Sequence, residues 1–152
     1  MKNIVQILCS LLVVLTSTFV GAQTTIATNF TNNNGSSIIT FNFQNTNATD
    51  VVITEIASAT GTTGANNATL WYKPTAINQT TMAVNTGAGW TQVATQPFTG
   101  VANTTTNVGQ PMLTGLSLIV PAGATYGLCL SLTSGLRYST ITAGSYTFTG
   151  GG

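Results

Sequence analysis

Catalysis needs side chains that move protons, attack or hold metal, and this chain has few of them. Its 152 residues include two acids, three cations and no histidine. The acids are Asp50 and Glu55, the cations Lys2, Lys73 and Arg137, and the thiols Cys9 and Cys129. Without an imidazole, no ordinary base is present to activate a serine or cysteine near neutral pH. Asp50 and Glu55 are five positions apart. On one strand they would point to opposite faces and lie about 16 Å apart along it, whereas a glycosidase pair must converge to roughly 5–9.5 Å. Only a strand break between them would bring them closer. Two isolated carboxylates and a thiol form neither a zinc set nor an oxygen cage, which leaves a carbonyl-rich loop as the one calcium candidate. The expectation is no enzyme activity, no cofactor and no metal site. Lys73 and Arg137 alone cannot make the basic footprint that nucleic acid requires.

Aromatic rings are the remaining binding chemistry. In Leu70-Trp71-Tyr72 adjacent side chains point to opposite faces of a strand, so one of the two rings belongs to the core. Trp90 follows Gly87-Ala88-Gly89 and is the candidate platform for stacking on a sugar, although packing in the core or closing a hairpin is the commoner use of such a ring. Six Asn-x-Ser/Thr triplets begin at Asn29, Asn34, Asn47, Asn67, Asn78 and Asn103. In a chain this rich in Asn and Thr they are read as chance.

The chain opens with a targeting pattern. Lys2 supplies a positive charge, Ile4 to Val20 is mostly apolar, and Val20-Gly21-Ala22 places small residues before a cut. Residues 1–22 are therefore predicted to be a signal peptide, and 23–152 one exported domain that does not span the membrane. Cys9 would leave with the leader, so Cys129 has no intrachain partner. Set between Leu128 and Leu130, it is expected to be a buried, inert side chain. The four charges of the remaining chain cancel, so solubility rests on Thr, Asn, Ser and Gln. Threonine also favours strands.

The strongest stretch is Leu116 to Leu132. Leu116, Leu118 and Val120 alternate with polar or outward positions, Pro121-Ala122-Gly123 breaks the chain, and Tyr126, Leu128, Leu130 and Leu132 share the next face. Two core strands joined by a tight hairpin connection are expected. Further strands are predicted at Thr24–Phe30, Ile38–Gln44, Val51–Ala57, Ala68–Tyr72, Trp90–Val93, Gly135–Tyr138 and Ser145–Phe148. Asn32–Gly35 and Asn45–Ala48 read as turns, Ala59–Asn67 as a loop, and Thr75–Gly89 as a surface excursion. No helix emerges. Short strands separated by Gly, Asn and Pro turns predict an all-β antiparallel sandwich, Ig-like or jelly-roll-like.

From Thr24 onward the chain resembles a module of surface proteins that Gram-negative bacteria export by the type IX route. The residues that carry the likeness are Phe41-Asn42-Phe43-Gln44-Asn45 with the later Val-Val-Ile-Thr, Leu70-Trp71-Tyr72-Lys73-Pro74, Gly89-Trp90, and Leu118-Ile119-Val120-Pro121-Ala122-Gly123. Leu136-Arg137-Tyr138 and Gly144-Ser145-Tyr146-Thr147-Phe148 add to it. These are packing and turn motifs, and the resemblance implies a fold and a setting in larger adhesive proteins, with no catalytic residues. It also implies a further closing strand after the terminal glycines, so a truncated domain with an open strand edge near Ser145–Phe148 is expected.

Together these readings point to a secreted or cell-surface structural or adhesive module. Its expected partners are other domains of a longer surface protein or neighbouring surface proteins. The alternative is a glycan-binding module of an exported glycan-degrading enzyme, with Trp90 as its platform.

Overall fold

The structure is a computed structural model that describes residues 24–25, 34–78, 84–101 and 109–138. The described residues form eight strands: β1 (Asn34–Gln44), β2 (Val51–Ile53), β3 (Ile56–Ser58), β4 (Gly64–Lys73), β5 (Thr91–Gly100), β6 (Gln110–Leu113), β7 (Leu118–Val120) and β8 (Thr125–Tyr138). Among the described residues the only helical turn is a 3₁₀ turn at Thr86–Ala88. Every strand pairing is antiparallel. The protein is all-β and sandwich-like, as its period-two alternation predicts. The strands belong to one compact unit. The predicted leader 1–22, most of the predicted strand Thr24–Phe30, and the predicted strand Ser145–Phe148 lie outside the described residues.

One layer is a four-stranded sheet in the order β1-β8-β4-β5. The other is a ribbon in two pieces, β2 with β7 and β3 with β6. The pieces are successive parts of the same two chain segments, and the Leu116 N–H donates to Thr54 O (2.9 Å) between them. The core fills the space between layers. Leu128, Leu130 and Leu132 of β8 and Ala68 and Leu70 of β4 meet Met112, Leu113, Leu116 and Leu118 from the ribbon. Alternation puts them there, because direct partners in a ladder share a face: Ile39 and Leu70 both oppose Leu130.

The ribbon corrects the expected strand Val51–Ala57. That stretch carries apolar residues on both faces, which a continuous strand cannot bury on one side. The structure interrupts it at Thr54-Glu55, both exposed. The interruption shifts the phase, so Val51, Ile53 and Ile56 all turn inward while Val52 turns out.

The expected hairpin at Pro121–Gly123 is also corrected. β7 pairs with β2, and β8 with β1 and β4, so the turn is a corner between layers. Gly123 takes φ 73, a conformation that side chains disfavour. Asn45 fastens this corner. Its buried amide donates to Thr49 O and Val120 O (each 2.9 Å), its Oδ1 accepts the Asn47 N–H (3.0 Å), and its own N–H donates to Ala124 O (2.9 Å).

β8 runs through both segments expected to be separate strands. Ile38 opposes Ser131 whereas Ser36 opposes Leu136, so the residues between bulge out of the ladder. Gly135 turns the chain there with φ 75, and the Thr62 side chain lies against it. Beyond the bulge, Leu136 bridges Thr60, the Arg137 N–H donates to Ala59 O (2.9 Å) and the Gly61 N–H to Gly135 O (2.7 Å). One strand thus joins the sheet to the chain that follows β3.

Three further differences have tertiary causes. β4 starts at Gly64 inside the expected loop, because its first half pairs with β5 and Asn67 donates its N–H to Thr133 Oγ1 (3.0 Å). That N–H points away from β5, so Pro97, the partner of Asn67, needs no donor toward β4. β5 therefore continues through a proline. Asn34-Gly35, expected in a turn, opens β1 by pairing with Tyr138 and Arg137.

Candidate functional site

The described charged groups are dispersed, and two of them, Asp50 and Lys73, are tied to the backbone. Asp50 sits just before β2 and accepts the Ala122 N–H at the interlayer corner (3.1 Å). Glu55 lies exposed in the Thr54-Glu55 interruption. Lys73, at the end of β4, donates from Nζ to Ala88 O (3.0 Å) and so holds the 3₁₀ turn whose N-terminus is capped by the Asn85 side chain (2.9 Å). The Arg137 guanidinium lies over Gly61, where an added Cβ would collide with it. Among the described residues no three of His, Cys, Asp and Glu gather as a metal site would require.

Cys129 is sealed inside the sheet, 0 % exposed and a free thiol. It pairs with Thr40 on one side and Trp71 on the other. Burial pushes its pKa up to about 11, because the thiolate would lose its hydration there. A thiol so placed is a poor nucleophile. This is the packing role expected from its Leu neighbours.

Trp90 takes the packing use, the commoner of its two readings, and not that of a platform. It is 2 % exposed, so its ring faces offer no platform to a sugar. It follows Gly89, which leaves the 3₁₀ turn with φ 80, and its N–H donates to Asn85 O (3.2 Å). The turn folds back and takes the ring inward instead of presenting it. Of the other pair, Tyr72 packs on the core and stacks on Tyr126, with ring centroids 5.3 Å apart at 23°. Trp71 is half-buried on the other face.

The segment after β4, expected as a surface excursion, is fastened to the sheet at its start. Gly127 donates its N–H to Thr75 O (2.9 Å). The Asn42 side chain exchanges two hydrogen bonds with the Ile77 backbone, 3.0 Å to its carbonyl and 2.8 Å from its N–H. Residues 75–77 thus cross from β4 over β8 to β1.

An open groove of ≈ 570 Å³ lies where β8 peels away from the start of β4, lined by residues that include Asn66, Asn67, Phe98, Thr99 and Thr133. Asn66 is buried, and its Oδ1 accepts from Thr133 Oγ1. Asn67 and Thr99 are exposed. The lining is neutral and mainly apolar, with Ala65, Pro97 and Phe98 beside the amides and hydroxyls. Nothing in the motif reading pointed here, because the groove arises from the β8 bulge, a non-local feature.

No family model matches the chain, and no curated protein or solved structure is significantly similar to it. What fold and geometry define is an all-β antiparallel protein whose charged side chains, among the described residues, are set apart from one another. Among the described residues no helix is long and apolar enough to cross a membrane.

Proposed function

We propose that the protein is an exported, non-catalytic β-sandwich module of a cell-surface or secreted protein, with a structural or adhesive role. The observation that carries this reading is the use made of its reactive side chains. Asp50 and Lys73 fix backbone turns and Cys129 fills the sheet interior. The outer ladder positions carry neutral hydroxyl pairs such as Thr69 with Thr95 (Oγ1 to Oγ1, 2.9 Å). Such a surface holds its shape and stays soluble without charge. The leader pattern of residues 1–22 supplies the route out of the cell. The test is antibody labelling of intact source cells, together with deletion of the gene. Surface labelling and weakened attachment or altered surface architecture are expected. Labelling only after lysis would overturn the reading.

A second reading, neutral-glycan binding, keeps one supporting observation, the groove beside Phe98. Its volume falls within the range of small-ligand sites, and its amides and hydroxyls suit sugar hydroxyls. A glycan array with Asn67→Ala as control tests it, and a blank array removes it.

A further inference from the structure

The outer face of the β2–β7 ribbon combines two features found together nowhere else among the described strands. Val52 is 50 % exposed and Ile119 53 % exposed, and the two are direct partners in the ladder. Side chains so opposed lie roughly 4.5–5.5 Å apart at Cβ, so they form one patch, and exposed Pro121 and Ala122 extend it at the corner. A single exposed valine would call for no explanation. Here Val51, Ile53, Leu118 and Val120 already face inward, so the ribbon is apolar on both sides.

The second feature is charge. The chain has two carboxylates in all, and they bracket this strand: Asp50 directly precedes β2 and Glu55 lies two residues beyond it, both exposed. Neither forms an ion pair with a described residue. Lys73 and Arg137 are placed on other elements, the first bonded to Ala88 O and the second lying over Gly61. A small apolar centre with an acid at each end is complementary to an extended segment that carries aliphatic side chains between two cations. A second copy of this chain fits poorly, since it would bring the same carboxylates together.

We propose that this face docks a cationic, apolar, extended segment of a partner protein, with two Lys or Arg about six residues apart, so that both cations and the aliphatic side chains between them share one face. The proposal deepens the module reading by naming a partner class. Loss of peptide binding would leave export untouched, and retention inside the cell would leave the peptide result untouched, so the two fail separately.

The experiment is a titration of the isotope-labelled protein by NMR with the end-capped peptide Lys-Thr-Val-Thr-Ile-Thr-Lys, whose lysines, valine and isoleucine share one face when extended, and with its counterpart bearing Glu at both ends. Amide shifts are expected at residues 50–55 and 117–122. Binding should be at least about tenfold tighter for the lysine peptide at low salt, and it should weaken as salt screens the pair. Glu55→Gln should weaken it about threefold, and Ile119→Thr about fivefold at an unchanged melting temperature. If Ile119→Thr unfolds, the comparison of the two peptides on the parent protein still decides. Equal binding of both peptides, shifts elsewhere, no shifts, or concentration-dependent self-association that occupies this face would each overturn the proposal.

Discussion

Ile77 lies directly on Gly127: a Cβ built on the glycine would fall 2.5 Å from Ile77 Cγ2. The strap 75–77 crosses the central strand β8 at the one position there that has no side chain, and Asn42 holds it from the far side. Gly127 has a buried place in the sheet and pairs with Asn42 and Lys73, so the close approach, not backbone conformation, is what requires glycine.

Gly127→Ala is expected to destabilise the fold by about 1–3 kcal/mol through this overlap. The strap must shift, and its bonds to Asn42 and Gly127 loosen with it. In an Ile77→Ala background the same substitution should cost clearly less, since the two residues are coupled by contact. Urea unfolding of the four proteins measures the difference. An additive cycle would show that the strap does not rest on the strand.

Asn45→Ala is expected to cost about 2–3 kcal/mol, because it removes a donor from the buried Val120 carbonyl, another from the less buried Thr49 carbonyl, and an acceptor from the Asn47 N–H. The loss should fall on the corner between layers. Hydrogen exchange of the Ala124 amide, which donates to Pro121 O (3.0 Å) and not to the Asn45 side chain, should be compared with that of Asn47. Faster exchange at Asn47 is the expected signature.

The Cys129 thiol gives a pH dependence with a definite sign. Its folded pKa of about 11 lies above the ordinary 9.0. Between these values the unfolded chain ionises while the folded chain keeps its proton. The stabilisation is therefore complete below pH 9 and is lost as pH rises toward 11. Cys129→Ala should show a shallower decline over that interval than the parent, and modification by a thiol reagent should wait on unfolding. Identical alkaline slopes in the two proteins would contradict the placement.

Trp90→Ala tests packing against display. A nearly fully buried tryptophan should cost about 3–5 kcal/mol on truncation, a large part of a typical total of ~5–15 kcal/mol. Thermal unfolding reads the effect. An unchanged melting temperature would mean that the ring is not buried.

How much of this was legible in the sequence depends on how local each signal is. Leu118, Val120 and the Leu128–Leu132 face could be read because alternation is written within the strand itself. The mixed faces of Val51–Ala57 could be seen, but the interruption that resolves them depends on the phase of Leu113 and Leu118 across the ladder. The corner at Pro121–Gly123 looks like a hairpin turn locally, and only the pairing of β7 with β2 places it between layers. β6 was missed because Gln110-Pro111-Met112-Leu113 contains a proline and does not alternate. For Trp90 packing was the commoner reading, but its exposure depends on the fold-back of residues 85–89, and the groove beside Phe98 was not legible because it exists only where β8 leaves β4.

The central claim is that this is an exported module, and the mass of the protein recovered from outside its source cells tests it most directly. Export with cleavage after Ala22 gives a chain that begins at Gln23. Recovery only from the cytosol, with Met1 still in place, would contradict it.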